Sequence, residues 1–300
     1  MPNFLVIGAP KAGTSALYYY LKQHPEIYMS PVKEPHFFTF ENEQVNCCGP
    51  GDRERLRGTT TSLENYIKLF EQVSGEIAIG EASTTYLGSV KAPERIKHYL
   101  PEVKLIAILR NPVDAGYASF LHLLRDGDET ITDFAQALQE EEKRIHQNWD
   151  GLWRYKTRGF YYTQVKRYFD LFERDQLKIY RYEDFQQNAV EVLGTIFQFL
   201  KVDESFIPDM STQYNVSGMP SNQRLNQLMV KPNPLKSTLN LFLPKGFRKS
   251  LATQIKEWNF NRYQKPKMSP DLRYKLTQEY REDILKLQDL IQQDLSSWLQ

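Results

Sequence analysis

The chain has 300 residues, of which 41% are hydrophobic and 25% charged, a composition that excludes disordered, collagen-like and coiled-coil proteins. Its 38 basic and 37 acidic residues give a net charge of +1, which argues against a nucleic-acid-binding protein. Ten of the basic residues fall within 215–267 beside a single acid, Glu257, so we expect an anionic partner near that segment.

Four short apolar runs are typical of strands buried on both faces of a sheet, and they lie at 4–7, 76–80, 104–109 and 177–180. Helical patterns lie between these runs and after the last one. They extend from Thr14 to the residue before Pro25, from the turn after the third run to Leu124, and over 163–172, 189–200, 235–243 and 270–299. This alternation predicts an α/β fold with a central, mainly parallel sheet flanked by helices.

The carboxyl-terminal part of the chain is predicted to be mostly helical. Because no linker composition divides the sequence, we expect a single domain over 1–300, with an α/β core at 1–184 and a helical elaboration at 185–300. The stretch 41–75 has few apolar residues and is interpreted as a long irregular excursion.

Two features bear on the compartment. Cys47 and Cys48 are too few and too close together to form a disulfide framework, and they lack the spacing of a zinc site. The longest apolar runs are too short to cross a membrane, and the start of the chain lacks the basic region of a signal peptide. We therefore expect a cytoplasmic protein with no stable membrane insertion.

Residues 8–15, Gly-Ala-Pro-Lys-Ala-Gly-Thr-Ser, connect the first predicted strand to the first helix. Backbone N–H groups in such a turn point at one anion, and the helix N-terminus adds positive charge. A tight turn with a helix cap would use the same small residues, but Lys11 and the hydroxyls of Thr14 and Ser15 favour an anion site. The nucleoside-triphosphatase pattern places its lysine directly after the second glycine, where this chain has Thr14, which argues against ATP or GTP hydrolysis.

The string Lys11-Ala12-Gly13-Thr14-Ser15 resembles the loop of sulfotransferases that use 3′-phosphoadenosine 5′-phosphosulfate (PAPS). It is most similar to the branch that contains bacterial sulfotransferases and heparan sulfate N- and O-sulfotransferases. The resemblance implies a P-loop-like three-layer fold and no metal. It also implies that Lys11 stabilises the leaving phosphate and that the 5′-phosphosulfate is bound by the loop, namely Pro10, Lys11, Ala12, Gly13, Thr14 and Ser15.

The string Lys33-Glu34-Pro35-His36-Phe37-Phe38 places two titratable groups between prolines and aromatic residues. Desolvation there would suit a general base, although the local sequence alone favours an exposed turn with His36 as an ordinary loop histidine. The resemblance implies that Glu34 is the base that activates the acceptor, with His36 as a second candidate. Residues 81–86 resemble the family string Glu-Lys-(Ser/Thr)-x-x-Tyr, with Ala82 in place of the lysine. Because Glu81 follows the second predicted strand, we expect it at the sheet edge beside the acceptor, unless it caps a helix or forms a salt bridge.

Arg110 follows the third predicted strand, at the sheet edge where ligands bind, unless it pairs with Asp114 across the turn. In the family, the arginine of this Leu-Arg-(Asn/Asp)-Pro string and a serine eight residues later bind the 3′-phosphate. That position is Ala118 here, so Ser119 could substitute only if the helix is irregular. By analogy with a basic loop in relatives, Gly218 and Arg224 are expected to close over the same phosphate.

Together these motifs predict transfer of a sulfuryl group from PAPS to a hydroxyl, or less favourably an amine, of a glycan, glycolipid or other small metabolite. The alternatives are an ATP-dependent small-molecule kinase of P-loop type and an inactive protein that binds adenosine 3′,5′-bisphosphate. The stripe of apolar and basic residues at 235–255 fits either a helix packed on its own core or surface contact with a lipid-linked acceptor. The sequence contains no pattern that indicates the oligomeric state.

Overall fold

A computed structural model describes residues 1–211 and 268–300. Within these ranges five strands form one sheet: β1 (Phe4–Gly8), β2 (Ile27–Met29), β3 (Ala78–Ala82), β4 (Lys104–Leu109) and β5 (Leu177–Arg181). The strand order is β2-β3-β1-β4-β5, and every neighbouring pair is parallel. Helices flank the sheet, so the predicted α/β class with a parallel sheet and a carboxyl-terminal helix is confirmed.

The helices before β4 are α1 (Thr14–Leu21), α2 (Phe37–Phe40), α3 (Asp52–Arg55), α4 (Leu63–Lys68), α5 (Thr85–Gly88) and α6 (Ala92–Tyr99). Those after it are α7 (Pro112–Asp126), α8 (Phe134–Gln139), α9 (Glu141–His146), α10 (Tyr161–Phe169), α11 (Tyr182–Gln187), α12 (Ala189–Leu200) and α13 (Pro270–Ile291). Short 3₁₀ turns lie at Gly151–Trp153, Thr157–Gly159, Arg174–Gln176 and Ser296–Leu299.

The order of the strands explains where a ligand can bind. All five residues of β1 are buried, because neighbouring strands cover its edges and helices its faces. From β1 the chain builds the sheet first towards β3 and β2, and then on the other side towards β4 and β5. The loops after β1 and β4 therefore leave the sheet at the same edge in opposite directions, and they open the crevice in which such sheets bind ligands.

Several predicted boundaries were wrong. The second apolar run forms β3 two residues later than predicted, which places Glu81 and Ala82 inside the strand. The excursion at 41–75 contains α3 and α4, and the strand Ile27–Met29 was not predicted because it is only three residues long. The last helix ends at Ile291, where Gln292 takes a left-handed conformation with φ 55°, and a 3₁₀ turn follows. The single-domain organisation stays a prediction.

Candidate active site

A cavity of about 560 Å³ lies at the carboxyl edge of the sheet. Its walls come from the loops after β1 and β4, the segment 33–36, the start of α5 and the loop at 148–155. Six basic residues line it against two acids, Glu34 and Asp150. The six are Lys11, Lys33, Arg55, Arg110, Arg154 and Arg158. This excess of positive charge in a concave site is suited to a ligand that carries several negative charges.

The loop after β1 has the geometry of an anion site. Lys11 and Gly13 take left-handed conformations with φ 64° and 84°, and α1 begins directly afterwards at Thr14. A Cβ on Gly13 would lie 3.2 Å from the ring of Tyr182, so a larger residue would be both strained and crowded here. Pro10, Lys11, Gly13, Thr14 and Ser15 line the cavity, whereas Ala12 is fully buried beneath it.

Lys11 is surrounded by other cations. Burial is the largest of the causes that lower the pKa of Lys11 to about 8; the guanidiniums of Arg125, Arg110 and Arg158 contribute in the same direction, and Asp126 opposes them. A buried ammonium beside other cations gains free energy when an anion enters, because the anion replaces lost hydration and screens the repulsion. The electrostatic free energy of the site is therefore lower when an anion is bound.

The loop after β4 contributes Arg110, whose Nη1 donates to the backbone carbonyl oxygen of Lys11 at 3.0 Å. The guanidinium also lies over the ring of Tyr182, 4.6 Å from its centroid. Asp114, the alternative partner considered from the sequence, pairs instead with Arg273 on α13. Arg110 lines the cavity, and Asp114 does not pair with it there.

Ser119 lines the cavity although α7 is a regular helix. Its hydroxyl donates to the carbonyl oxygen of Ala115 at 3.1 Å, one turn earlier, and the residue is 5% exposed. Ala118, the residue at the position where relatives have serine, is buried and does not line the cavity. No irregular turn is needed to bring Ser119 to the cavity wall.

Glu34 and His36 both line the cavity, in left-handed conformations with φ 63° and 56°. The Glu34 carboxylate accepts from Lys33 Nζ at 2.7 Å and from the backbone N–H of Thr84 at 2.7 Å. Burial opposes ionisation of Glu34, but Lys33, His36 and the Thr84 N–H outweigh it and hold its pKa below the usual value. Burial also lowers the pKa of His36, which Glu34 partly opposes, so at neutral pH Glu34 is ionised and His36 is neutral.

The structure does not bring Glu81 to the cavity. Its side chain is completely buried and accepts hydrogen bonds from Tyr66 at 3.3 Å and from Ser83 at 2.9 Å. Burial raises the pKa of Glu81 to about 7. Ser83 Oγ in turn accepts the backbone N–H of His36 at 3.0 Å, so Glu81 acts on the site through the segment that carries the candidate bases.

Sequence reasoning missed part of the cavity wall, namely Arg55, Arg154, Arg158, Trp149 and Tyr182. For Arg158 a signal exists, because it directly precedes Gly159-Phe160-Tyr161, and this string resembles Gly-x-Tyr strings that lie near the nucleotide in the family. Tyr182 begins α11 directly after β5, whereas no local pattern marks Arg55, Arg154 and Trp149, because their place in the wall depends on tertiary contacts.

The loops at 46–56 and 148–153 are joined by one buried carboxylate. Asp52, 0% exposed, accepts from the N–H of Gly49 at 2.7 Å, the N–H of Asp150 at 2.8 Å and Trp153 Nε1 at 2.9 Å. Arg55 also pairs with it. These contacts hold the part of the cavity wall that the segments 46–56 and 148–153 form.

Gly218, Arg224 and the stripe at 235–255 lie outside the described residues. Within 1–211 and 268–300, no three His, Cys, Asp or Glu side chains are grouped as they would be around a metal ion. Across the same ranges, no helix combines the length and the apolar character needed to cross a bilayer.

Comparison with known proteins identifies the family. The sulfotransferase domain model matches residues 1–290. A crystal structure of a sulfotransferase from Alicyclobacillus acidocaldarius is 35% identical, with a TM-score of 0.79, and the match covers 100% of this chain and 99% of that one. Carbohydrate sulfotransferase 15 of Mus musculus is 27% identical over 255 residues, which cover 67% of this chain and 44% of that protein.

A bifunctional heparan sulfate N-deacetylase/N-sulfotransferase 2 of Bos taurus is 27% identical over 211 residues, covering 67% of this chain and 22% of that protein. The chain thus spans less than half the length of these curated relatives. Its match to the domain model and to the bacterial structure covers nearly all of it, and the resemblance seen in the sequence motifs is confirmed. The chain belongs to the sulfotransferase family.

Proposed function

We propose that this protein transfers a sulfuryl group from PAPS to a hydroxyl group, or less favourably an amine, of a carbohydrate acceptor and releases adenosine 3′,5′-bisphosphate. The observation that carries the proposal is the hydrogen bond between Arg110 and the Lys11 carbonyl, which joins the two nucleotide motifs in one cationic cavity. PAPS carries negative charge at both its 5′-phosphosulfate and its 3′-phosphate, and a cavity with six basic residues fits such a ligand.

The donor would lie across the crevice between β1 and β4. The loop at 10–15 and the N-terminus of α1 would bind the 5′-phosphosulfate, with Thr14 and Ser15 donating from their hydroxyls. Arg110 and Ser119 would bind the 3′-phosphate. This arrangement uses the two sides of the topological switch point for the two charged ends of the donor.

In the transfer step, the acceptor oxygen forms a bond to sulfur while the bond from sulfur to the bridging phosphate oxygen breaks. The electron pair of the broken bond stays on that oxygen, and the Lys11 ammonium would stabilise the negative charge that develops there. The acceptor proton would pass to Glu34 or to His36, which both line the same cavity.

The carbohydrate acceptor is supported by two of the relatives, whose names describe a carbohydrate sulfotransferase and a heparan sulfate N-sulfotransferase. The P-loop kinase alternative has no support from the family match. An inactive protein that only binds adenosine 3′,5′-bisphosphate would have the same nucleotide site as the enzyme. Measurement of turnover therefore distinguishes the two.

The test incubates the protein with PAPS and a panel of neutral, amino and carboxylated sugars, and measures turnover as the release of adenosine 3′,5′-bisphosphate. Lys11→Ala is expected to lower kcat by roughly a hundredfold or more, since one lost transition-state cation costs about 3 kcal/mol. Arg174→Ala is a matched control, because Arg174 lies on the surface against Phe169. Near wild-type turnover in Lys11→Ala would overturn the assignment, and nucleotide binding without turnover on any acceptor would favour the inactive binder.

A further inference from the structure

The imidazole of His36 lies at one end of a short chain of hydroxyl groups. Its Nδ1 is 2.9 Å from Thr85 Oγ1, and Thr85 Oγ1 is 2.9 Å from Thr39 Oγ1. Each hydroxyl has a single proton, so the chain can run in two directions. Either His36 Nδ1–H donates to Thr85 and Thr85 donates to Thr39, or Thr39 donates to Thr85 and Thr85 donates to a bare Nδ1.

The charge of Glu34 selects between these directions. Glu34 Oε2 lies 3.7 Å from His36 Nδ1 and is itself fixed by the backbone N–H of Thr84. Because Glu34 is ionised, its negative charge stabilises a proton on the nearer ring nitrogen. The favoured direction therefore runs from His36 Nδ1–H to Thr85 and on to Thr39.

This tautomer leaves a lone pair on Nε2. His36 lines the cavity, and no residue in the described ranges makes a hydrogen bond to its Nε2. Both oxygens of Glu34, in contrast, already accept strong hydrogen bonds, from the Lys33 ammonium and the Thr84 N–H. Among the acceptor atoms of the two candidate bases, His36 Nε2 is the one that carries no hydrogen bond within the described ranges.

The backbone of the same segment is held in an uncommon shape. Glu34 and His36 have φ values of 63° and 56°, which for residues other than glycine cost about 1 kcal/mol or more each. The strand end opposite holds them there, since the N–H of Glu34 donates to the Ala82 carbonyl at 2.9 Å and the N–H of His36 to Ser83 Oγ at 3.0 Å. Hydrogen bonds to residues 82–85 thus fix the conformation of the segment that carries both candidate bases.

We propose that Thr85 is a positioning residue that keeps the His36 proton on Nδ1 and presents Nε2 to the cavity as the proton acceptor. In the reaction, which rests on the proposed function, the acceptor hydroxyl would pass its proton to Nε2. The resulting imidazolium would keep its Nδ1–H on Thr85 and face the Glu34 carboxylate, which stays ionised. Thr85 acts through His36 and does not touch the reacting atoms.

The first experiment reads the tautomer and needs no acceptor. Histidine side chains are labelled with ¹⁵N, and the His36 signals are assigned by their loss in His36→Asn, since the chain has 5 histidines. At neutral pH we expect the proton on Nδ1 in the wild type and a shift towards Nε2 in Thr85→Val. Thr195→Val is the matched control, because Thr195 is exposed on α12. A proton on Nε2 in the wild type would overturn the proposal.

The second experiment reads catalysis. At saturating PAPS, Thr85→Val should lower kcat about tenfold, the equivalent of one hydrogen bond, without changing the KM for PAPS, and Thr85→Ser should restore it. Because the Glu34 charge raises the pKa of His36, Glu34→Gln should move the acidic limb of the pH profile to lower pH while leaving measurable turnover. Loss of all turnover in Glu34→Gln with normal kcat in Thr85→Val would overturn the proposal and make Glu34 the base.

The two failures can be told apart. Folding of each variant is checked by binding of adenosine 3′,5′-bisphosphate, and Thr39→Val provides a second break in the hydroxyl chain if Thr85→Val does not fold. A wild type with the Nδ1–H tautomer that binds the nucleotide but turns over no acceptor would refute the proposed function. A wild type that turns over PAPS with the proton on Nε2 would refute the role of Thr85 alone.

Discussion

The guanidinium of Arg110 donates a hydrogen bond to the backbone carbonyl oxygen of Lys11, with 3.0 Å between Nη1 and O. The two residues are 99 positions apart in the chain, and each follows a different strand of the sheet. The contact fixes the distance between the loop after β1 and the loop after β4. A ligand with two anionic ends can then meet both loops without a large rearrangement.

Arg110→Ala should weaken binding of adenosine 3′,5′-bisphosphate by about 30-fold or more. The reason is that a charge-assisted bond from arginine to phosphate contributes about 2 kcal/mol or more. Calorimetric titration measures the change, with Arg174→Ala as the control and ATP with Mg²⁺ as a competing ligand. Arg110→Lys should recover only part of the loss, because lysine lacks the fork and the stacking on Tyr182. Unchanged affinity in Arg110→Ala would place the 3′-phosphate elsewhere.

Binding of the bisphosphate should weaken as the pH rises above about 8. Lys11 has a lowered pKa of about 8 in the unliganded protein, so its ammonium is charged below that pH and loses its proton above it. A bound anion raises that pKa again, and the affinity therefore falls by up to about tenfold per pH unit above 8. Titrations between pH 7 and 9.5 should show this in the wild type but not in Lys11→Arg. A flat wild-type profile would show that Lys11 does not contact the nucleotide.

Glu81→Gln should stabilise the fold at pH 8 but not at pH 5. The folded pKa of Glu81, about 7, lies above its ordinary value of 4.5, so the wild type holds an extra proton when folded and loses stability as the pH rises between these values. The difference corresponds to about 3 kcal/mol, as an upper value for this buried group. Urea unfolding at both pH values measures it. Equal stability of the two proteins at pH 8 would contradict the raised pKa.

Asp52→Ala should lower the free energy of unfolding by about 3 kcal/mol or more. The substitution leaves the buried donors of Gly49, Asp150 and Trp153 without their acceptor and removes one partner of Arg55. Asp52→Asn keeps the shape of the side chain and should lose less. Asp52 holds the cavity wall at 46–56 and 148–153, and not the loops after β1 and β4 that we assign to the nucleotide. Nucleotide affinity should therefore change less than about threefold, whereas the KM for the acceptor should rise. Unchanged stability would contradict the central position of this carboxylate.

The pattern of residues along the chain was enough to predict the class of fold and the two motifs that we assign to the nucleotide. Short apolar runs at β1 and β4 require burial on both faces. Lys11 lies in the loop after β1 and Arg110 directly follows β4, so the pattern of parallel strands already predicts that both lie at one sheet edge. The local pattern also identified Glu34 and His36 as a pair. Glu81 was expected at a strand end beside the acceptor, but it lies within β3 and its side chain is buried in the core.

Tertiary structure decided which side chains share the cavity and in what state of charge. Ser119 reaches the wall while Ala118 does not, because the direction of α7 depends on its packing. Arg154 and Trp149 come from loops that Asp52 holds in place, and no local pattern encodes those contacts. The proton on His36 is set by Glu34 and Thr85 through distances that exist only after folding. Burial and the nearest charges shift a pKa, and neither quantity is present in the unfolded chain.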